Sequence, residues 1–434
     1  MVDAPPTYRA VRSRRVLVGN LMRPKAVVFS GGRIAGVVDH GDAPPGTTDF
    51  GDLVVMPALV DTHVHVNDPG RSHWEGFATA TAAARAGGVA AIVDMPLNSI
   101  PPTTTVTALE AKRRAARSAG LFADVGFWGG IVPGNLAEVA GLAAAGVRGF
   151  KCFLVPSGVD EFGCIGLDDL DAALGAAAAV GLPLLVHAES PSVIAAAPAP
   201  GAGYSSYLAS RPPEAEVEAI AAVIAAARRT GGRAHILHLS AADAVPLIAA
   251  ARTDGARISA ETCPHYLTIS AEQIGDDDLA YKCAPPIRDA ANRERLWEGL
   301  AAGTIDMVVS DHSPCPGDLK QGGFHEAWGG IASLELRLPV VWTEAALRGF
   351  GIADMAQWLC TAPAGLAGLE TGLIEPGLRA DLVVWDPDAD FVVDPEALAQ
   401  RHPITPYAGR SLRGRVAATI VRGGSTPTLF PETP

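Results

Sequence analysis

Apolar and polar positions follow two rhythms along this chain. Before about residue 56 the pattern is short and alternating, at 15–19 and 26–38, and the second piece is broken by Gly31-Gly32 at hairpin spacing. The same β texture returns at 377–385, 390–393 and 415–421, where short apolar runs alternate with Gly, Pro and Asp turns. Between these ends, apolar runs of strand length occur at 59–66, 90–95, 123–127, 149–154, 184–187, 234–239, 257–260 and 307–310. Ala-rich helical stretches separate most of them, at 74–86, 105–119, 136–145, 167–180, 213–229, 242–251 and 292–301. Eight β/α units over roughly 300 residues predict an α/β fold, a (β/α)8 TIM-like barrel with insertions, rather than an open doubly wound sheet. Neither β-rich end is long enough to bury a core alone, so the two are expected to share one small β-sandwich. The expected divisions are 1–56, 57–365 and 366–434.

Composition adds exclusions. The 434 residues are 48% hydrophobic and 19% charged with no block of like charge, which describes a globular chain. A net charge of −13, with basic residues scattered, argues against nucleic acid and anionic membrane as partners. The longest nearly apolar run, 172–186, is shorter than the ~20 residues of a membrane span and holds Gly175, Gly181 and Pro183. Arg9, Arg12, Arg14 and Arg15 interrupt any secretory h-region, so a cytoplasmic location is expected. The six cysteines form no CxxC pair, and reduced thiols are the expectation.

The chemistry gathers at strand ends. The first barrel strand closes with Asp61-Thr62-His63-Val64-His65, and side chains two apart on a strand share a face. Later strands close with Lys151, with His187 and Glu189, with His235 and His238, and with Asp311-His312. Barrel enzymes collect catalytic groups from several strand ends at one face. His235 and His238 are three apart and face opposite ways in a strand, so one of them reaches the mouth; His238, nearer the C-terminal end, is the choice. His312 is expected to point into the barrel–helix layer. His73, His265 and His325 fall in loops after strands one, seven and eight, within reach of a substrate, with a structural role the favoured expectation for each. Four imidazoles, one carboxylate and one lysine can hold two divalent cations, and such ligands suit Zn, Co, Mn, Ni or Fe better than Mg or Ca. Lys151 is anomalous there, because an ammonium is repelled by dications. Either it becomes a bridging carbamate with CO2, or it snorkels to an acidic partner; the residues alone leave both open.

These motifs resemble the cyclic amidohydrolases, the dihydroorotase-hydantoinase superfamily. DTHVH, GFKCFL, LVHAE, HLS and SDHSPC are similar, in order, to that family's metal and base segments, and AETCPHYL, KCAPPIRD, AWGGIASLE and PGLRADLVVWDP extend the likeness over nearly the whole chain. The resemblance implies that His63, His65, N-carboxylated Lys151 and Asp311 hold one metal, most often zinc, and that Lys151, His187 and His238 hold the other. It implies a hydroxide bridging the two metals, with Asp311 as the catalytic base that later protonates the departing ring nitrogen. Within the family, NDPGR and MPLN look most like the allantoinases, implying allantoin as small-molecule substrate, allantoate as product, and a role in purine and ureide catabolism. Asn67 stands where dihydroorotases typically carry an arginine for a substrate carboxylate, which allantoin lacks. Asn98 and the backbone around Cys283 and Gly329 are the implied substrate contacts, and a homotetramer is the implied assembly. The competing readings are a hydantoinase or dihydropyrimidinase with the same metal residues, and a non-catalytic scaffold, which should lack several of the ligands.

Overall fold

The structure, a computed structural model, describes residues 9–430. The outermost parts of the expected end segments, residues 1–8 and 431–434, therefore lie outside the described residues. The fold is a (β/α)8 barrel with a small β-sandwich domain built from both chain ends. The eight barrel strands are Leu59–Val64, Val89–Asp94, Asp124–Phe127 continuing through Gly129–Gly130, Phe150–Phe153, Leu184–His187, Ala234–Ile236, Ile258–Thr262 and Met307–Val308. All neighbouring pairs are parallel. Nearly every residue in them is buried, which is why they read as continuous apolar runs instead of alternating ones. The ring closes where Val64 bridges His312 and the His65 N–H donates to the His312 carbonyl at 2.8 Å.

Two polar devices hold the closure. Arg337, fully buried, donates to the Val60 and Val308 carbonyls at 3.0 and 3.2 Å and lies 3.3 Å from the Asp61 carboxylate. Asp61 in turn accepts from the Ser310 N–H. The first and eighth strands are thus tied by one guanidinium whose charge is matched, as a buried charge must be. In the middle of the third strand the buried Trp128 indole donates to the Thr62 carbonyl at 2.7 Å.

The helices lie where the 3.6-residue rhythm predicts them, and their ends have local causes. Thr105 caps Val106–Ser118 by accepting from the Ala108 N–H, and Asp289 caps Ala290–Ala301 by accepting from the Asn292 N–H. Pro213–Thr230 stops at Gly231, whose φ of 68° is the left-handed C-cap glycine tolerates best. The sixth and eighth strands end earlier than their apolar runs, at Ile236 and Val308, because the chain turns away just beyond through positive φ at His238 (34°) and Asp311 (45°).

In the β domain, Ala10–Val18, Leu21–Ser30 and Arg33–Asp39 form a meander, and the Gly31-Gly32 hairpin turn has φ of 57° and 75°. Val54–Pro57 pairs antiparallel with Leu382–Val392, which pairs with Ser411–Ile420, so one seven-stranded sheet joins the two chain ends. Among the described residues no helix is long and apolar enough to cross a membrane.

Candidate metal centre

All six side chains singled out as ligands reach one cavity of about 620 Å³ at the C-terminal face of the barrel: His63, His65, Lys151, His187, His238 and Asp311. Different strands deliver them, so barrel closure itself sets their distances. The Nε2 atoms of His63 and His65 lie 3.1 and 3.6 Å from Asp311 Oδ1. Ligand atoms of these three residues are all within 4.8 Å of one another. Lys151 Nζ is 3.4 Å from His63 Nε2, and His187 Nδ1 is 3.0 Å from His238 Nε2.

What fixes the rings is a second layer of acceptors. Glu261 Oε1 takes His63 Nδ1 at 2.5 Å, the Leu97 carbonyl takes His65 Nδ1 at 2.9 Å, and Glu189 Oε2 takes His187 Nε2 at 2.6 Å. Each bond fixes a tautomer and leaves the other ring nitrogen, with its lone pair, facing the cavity. Burial is the leading cause that holds His63, His65 and His238 well below the ordinary imidazole value, and it lowers His187 as well. Neutral imidazoles are the form that binds metal. Burial would raise the Glu189 carboxyl, but Arg211 and His187 outweigh it and hold it below the carboxylate range.

Lys151 is the outlier in this set. Its side chain is buried, the Phe153 ring centroid lies 4.9 Å from Nζ, and among the described residues no carboxylate oxygen lies within ion-pair distance of it. Burial lowers it from the usual lysine value against the pull of Asp311 and Glu261, and burial raises Asp311 against the pull of Lys151. Asp311 and His238 both sit at positive φ, a conformation that costs a non-glycine residue about 1–3 kcal/mol and that aims both side chains into the cavity. The residues present fit two divalent cations: imidazole nitrogens of fixed tautomer, a carboxylate and a lysine without an acidic partner, all buried at one barrel mouth.

The remaining expectations fall into place unevenly. Asn98, Cys283 and Gly329 line the same cavity. The wall at Gly329 is held by two lysines, Lys282 donating to the Ala327 carbonyl at 2.5 Å and Lys320 to those of Trp328 and Gly330 at 2.8 Å each. Gly330 has φ of 152°, and a Cβ there would lie 2.3 Å from the Ser313 carbonyl oxygen, so only glycine fits. Asn67 is fully buried and accepts from Asn98 Nδ2 at 3.0 Å, so it acts on the cavity through Asn98. His325 lines the cavity and His73 is exposed, its carbonyl accepting from His402. His265 takes the favoured structural place and not the access to substrate, and it does so in a short helix, Pro264–Thr268, instead of a loop, completely buried. His312 is buried too, its Nδ1 accepting from the Ser333 and Leu334 N–H groups. His235 is beneath the mouth as expected, but for a different reason from strand alternation. It bonds Ser259 and Glu261 inside the barrel, whereas His238 lies past the strand end.

Glu261 is the residue that sequence reasoning missed. One carboxylate serves His63, His235 (3.0 Å) and the His238 N–H (3.3 Å), linking first- and sixth-strand histidines. Its signal was present, an acidic residue next to the C-terminal end of the seventh apolar run, one of the three strand ends without an assigned ligand. Glu261→Gln is expected to weaken metal binding about 10–100-fold, read by competition with a chelator. Unchanged affinity would remove Glu261 from the centre.

Comparison with known proteins agrees with this geometry. Residues 54–425 match the amidohydrolase family. An allantoinase of Streptomyces avermitilis is 51% identical over 95% of this chain and 94% of its own length, and one of Saccharomyces cerevisiae is 41% identical over 95% and 94%. Among solved structures, the L-hydantoinase (dihydropyrimidinase) of Arthrobacter aurescens superimposes with a TM-score of 0.90 at 32% identity, covering 96% of this chain and 95% of that one. The chain belongs to the amidohydrolase family and, within it, to the group that its allantoinase relatives define.

Proposed function

We propose that this protein is an allantoinase, a hydrolase that opens the cyclic amide of allantoin to give allantoate. The observation that carries the hydrolase reading is the convergence of four neutral imidazoles, Lys151 and Asp311 on one cavity, with three of the rings held from behind by an acceptor so that their other nitrogen faces it. The choice of allantoin is supported by the near full-length likeness to allantoinases and by Asn67, uncharged where dihydroorotases typically carry an arginine for a substrate carboxylate.

In this reading His63, His65, Lys151 and Asp311 hold one divalent cation, and Lys151, His187 and His238 the other, with zinc the best match to the ligands. Bound there, the cations supply Lewis acidity that polarises the ring carbonyl and makes hydroxide available near neutral pH. Lys151 serves after adding CO2 through its neutral amine, releasing one proton and forming a carbamate that offers two oxygens. Asp311 accepts the proton of the attacking water, and as the C–N bond breaks it returns that proton to the departing ring nitrogen. Water is thereby divided between the new carboxyl group and the freed amide nitrogen. Asn98, with the backbone at Cys283 and Gly329, orients the ring. We further assign the enzyme to the cytoplasm as a homotetramer, which light scattering of the purified protein checks for the assembly.

The L-hydantoinase likeness favours one second reading, hydrolysis of hydantoins or dihydropyrimidines on the same centre. Measuring kcat/KM on allantoin, hydantoin and dihydrouracil separates the two. Allantoin is expected to lead by about 100-fold or more. Preference for dihydrouracil would transfer the assignment to the second reading.

A further inference from the structure

Asp311 has other buried neighbours besides the ligand histidines. Cys263 follows the seventh strand directly and His265 lies two residues on, in the helix Pro264–Thr268. The Cys263 sulfur, a ring nitrogen of His265 and a carboxylate oxygen of Asp311 are all within 4.8 Å of one another. Cys263 and His265 have no exposed surface, and neither belongs to the ligand set described above. Both ring nitrogens of His265 lack a hydrogen-bond partner among the described residues. An unpaired buried polar group costs about 1–3 kcal/mol. Here a histidine carries two of them, beside a thiol and a carboxylate.

We propose that Cys263, His265 and Asp311 form a third metal site, specific for a thiophilic dication such as zinc or cadmium, whose occupation stops turnover. Zinc bonds of 2.0–2.3 Å to S, N and O in tetrahedral geometry put ligands roughly 3.3–3.8 Å apart, so the three atoms close on an ion with about 1 Å of movement. The thiolate selects zinc or cadmium over magnesium, calcium or manganese. As the sulfur–metal bond forms, the Cys263 proton passes to solvent, and no oxidant or reductant is involved. Asp311 lines the active-site cavity, so an ion reaches the site from there. Once engaged by the third ion, the Asp311 carboxylate is no longer free to accept the proton of the attacking water. That consequence rests on the base role given to Asp311 above; the binding site itself does not.

The experiment titrates cadmium into the two-metal holoprotein and follows three quantities together: bound metal after gel filtration, the ultraviolet sulfur-to-cadmium charge-transfer absorption, and allantoin hydrolysis. The expected result is a third equivalent bound, with the absorption rising and turnover falling to background in parallel. In Cys263→Ser and in His265→Gln, each checked for folding by circular dichroism, the absorption and the third equivalent should disappear and cadmium should no longer inhibit. Manganese should do none of this to the parent. A parent that takes up no third ion or shows no thiolate band overturns the site, even if both variants fail to fold. So does cadmium inhibition that is identical in folded Cys263→Ser. A third ion with its thiolate band but undiminished turnover keeps the site and refutes the base role of Asp311 instead.

Discussion

Asp311→Asn is expected to lower turnover on allantoin by about 10²–10⁴-fold while the protein stays folded and keeps much of its metal. The amide oxygen still offers a ligand 3–4 Å from the two histidine nitrogens that Asp311 Oδ1 faces. What it loses is the ability to take a proton and give it back. Because Asp311 is delivered at positive φ, a position where Asn is tolerated as well as Asp, backbone disruption does not confound the comparison. Steady-state kinetics with metal analysis of the same sample provides the check. Near-normal turnover in a metal-loaded Asp311→Asn would take the proton transfer away from this residue.

The second large effect concerns Lys151. Replacement by alanine is expected to abolish metal binding and activity together, because in the proposed centre a bridging carbamate would contribute two oxygens and the negative charge that offsets repulsion between the cations. Small carboxylic acids such as acetate or propionate, added at high concentration, should restore part of both by occupying the vacated space. A lysine whose task was to pair with an acidic neighbour would behave differently, and no such neighbour lies within ion-pair distance among the described residues. Two metals retained by Lys151→Ala without added acid would overturn the bridge.

How much of this was legible in the sequence depends on how locally each feature is encoded. Barrel strands such as Val89–Asp94 and Leu184–His187 are buried on both faces and therefore announce themselves as runs that stay apolar up to their last residue. His63, His65, Lys151, His187, His238 and Asp311 stand at or just beyond such runs, so counting strands was enough to bring them to one face. The exact strand ends were less legible. At His238 and Asp311 the backbone leaves the strand through a left-handed residue that is not glycine, and hydropathy carries no mark of it. Relations between side chains far apart in sequence were not legible at all. Glu261 meets His63 across 198 positions, and Asn67 speaks to the cavity only through Asn98, 31 residues away. The burial of His265 was hidden in the same way: its segment reads as a loop, while the chain folds it into a helix packed under the barrel mouth, where its ring meets that of Tyr266 at 4.2 Å.

The central claim is that the six side chains form a two-cation centre bridged by a carbamylated lysine and that this centre hydrolyses allantoin. Its most direct test is reconstitution of metal-free protein with zinc, with and without bicarbonate, following allantoin hydrolysis against equivalents added. Activity that rises to a break at two equivalents per chain, and only when bicarbonate is present, is the expected result. Full activity in the metal-free protein, or a metal-loaded protein that leaves allantoin intact whether or not bicarbonate is supplied, would contradict it.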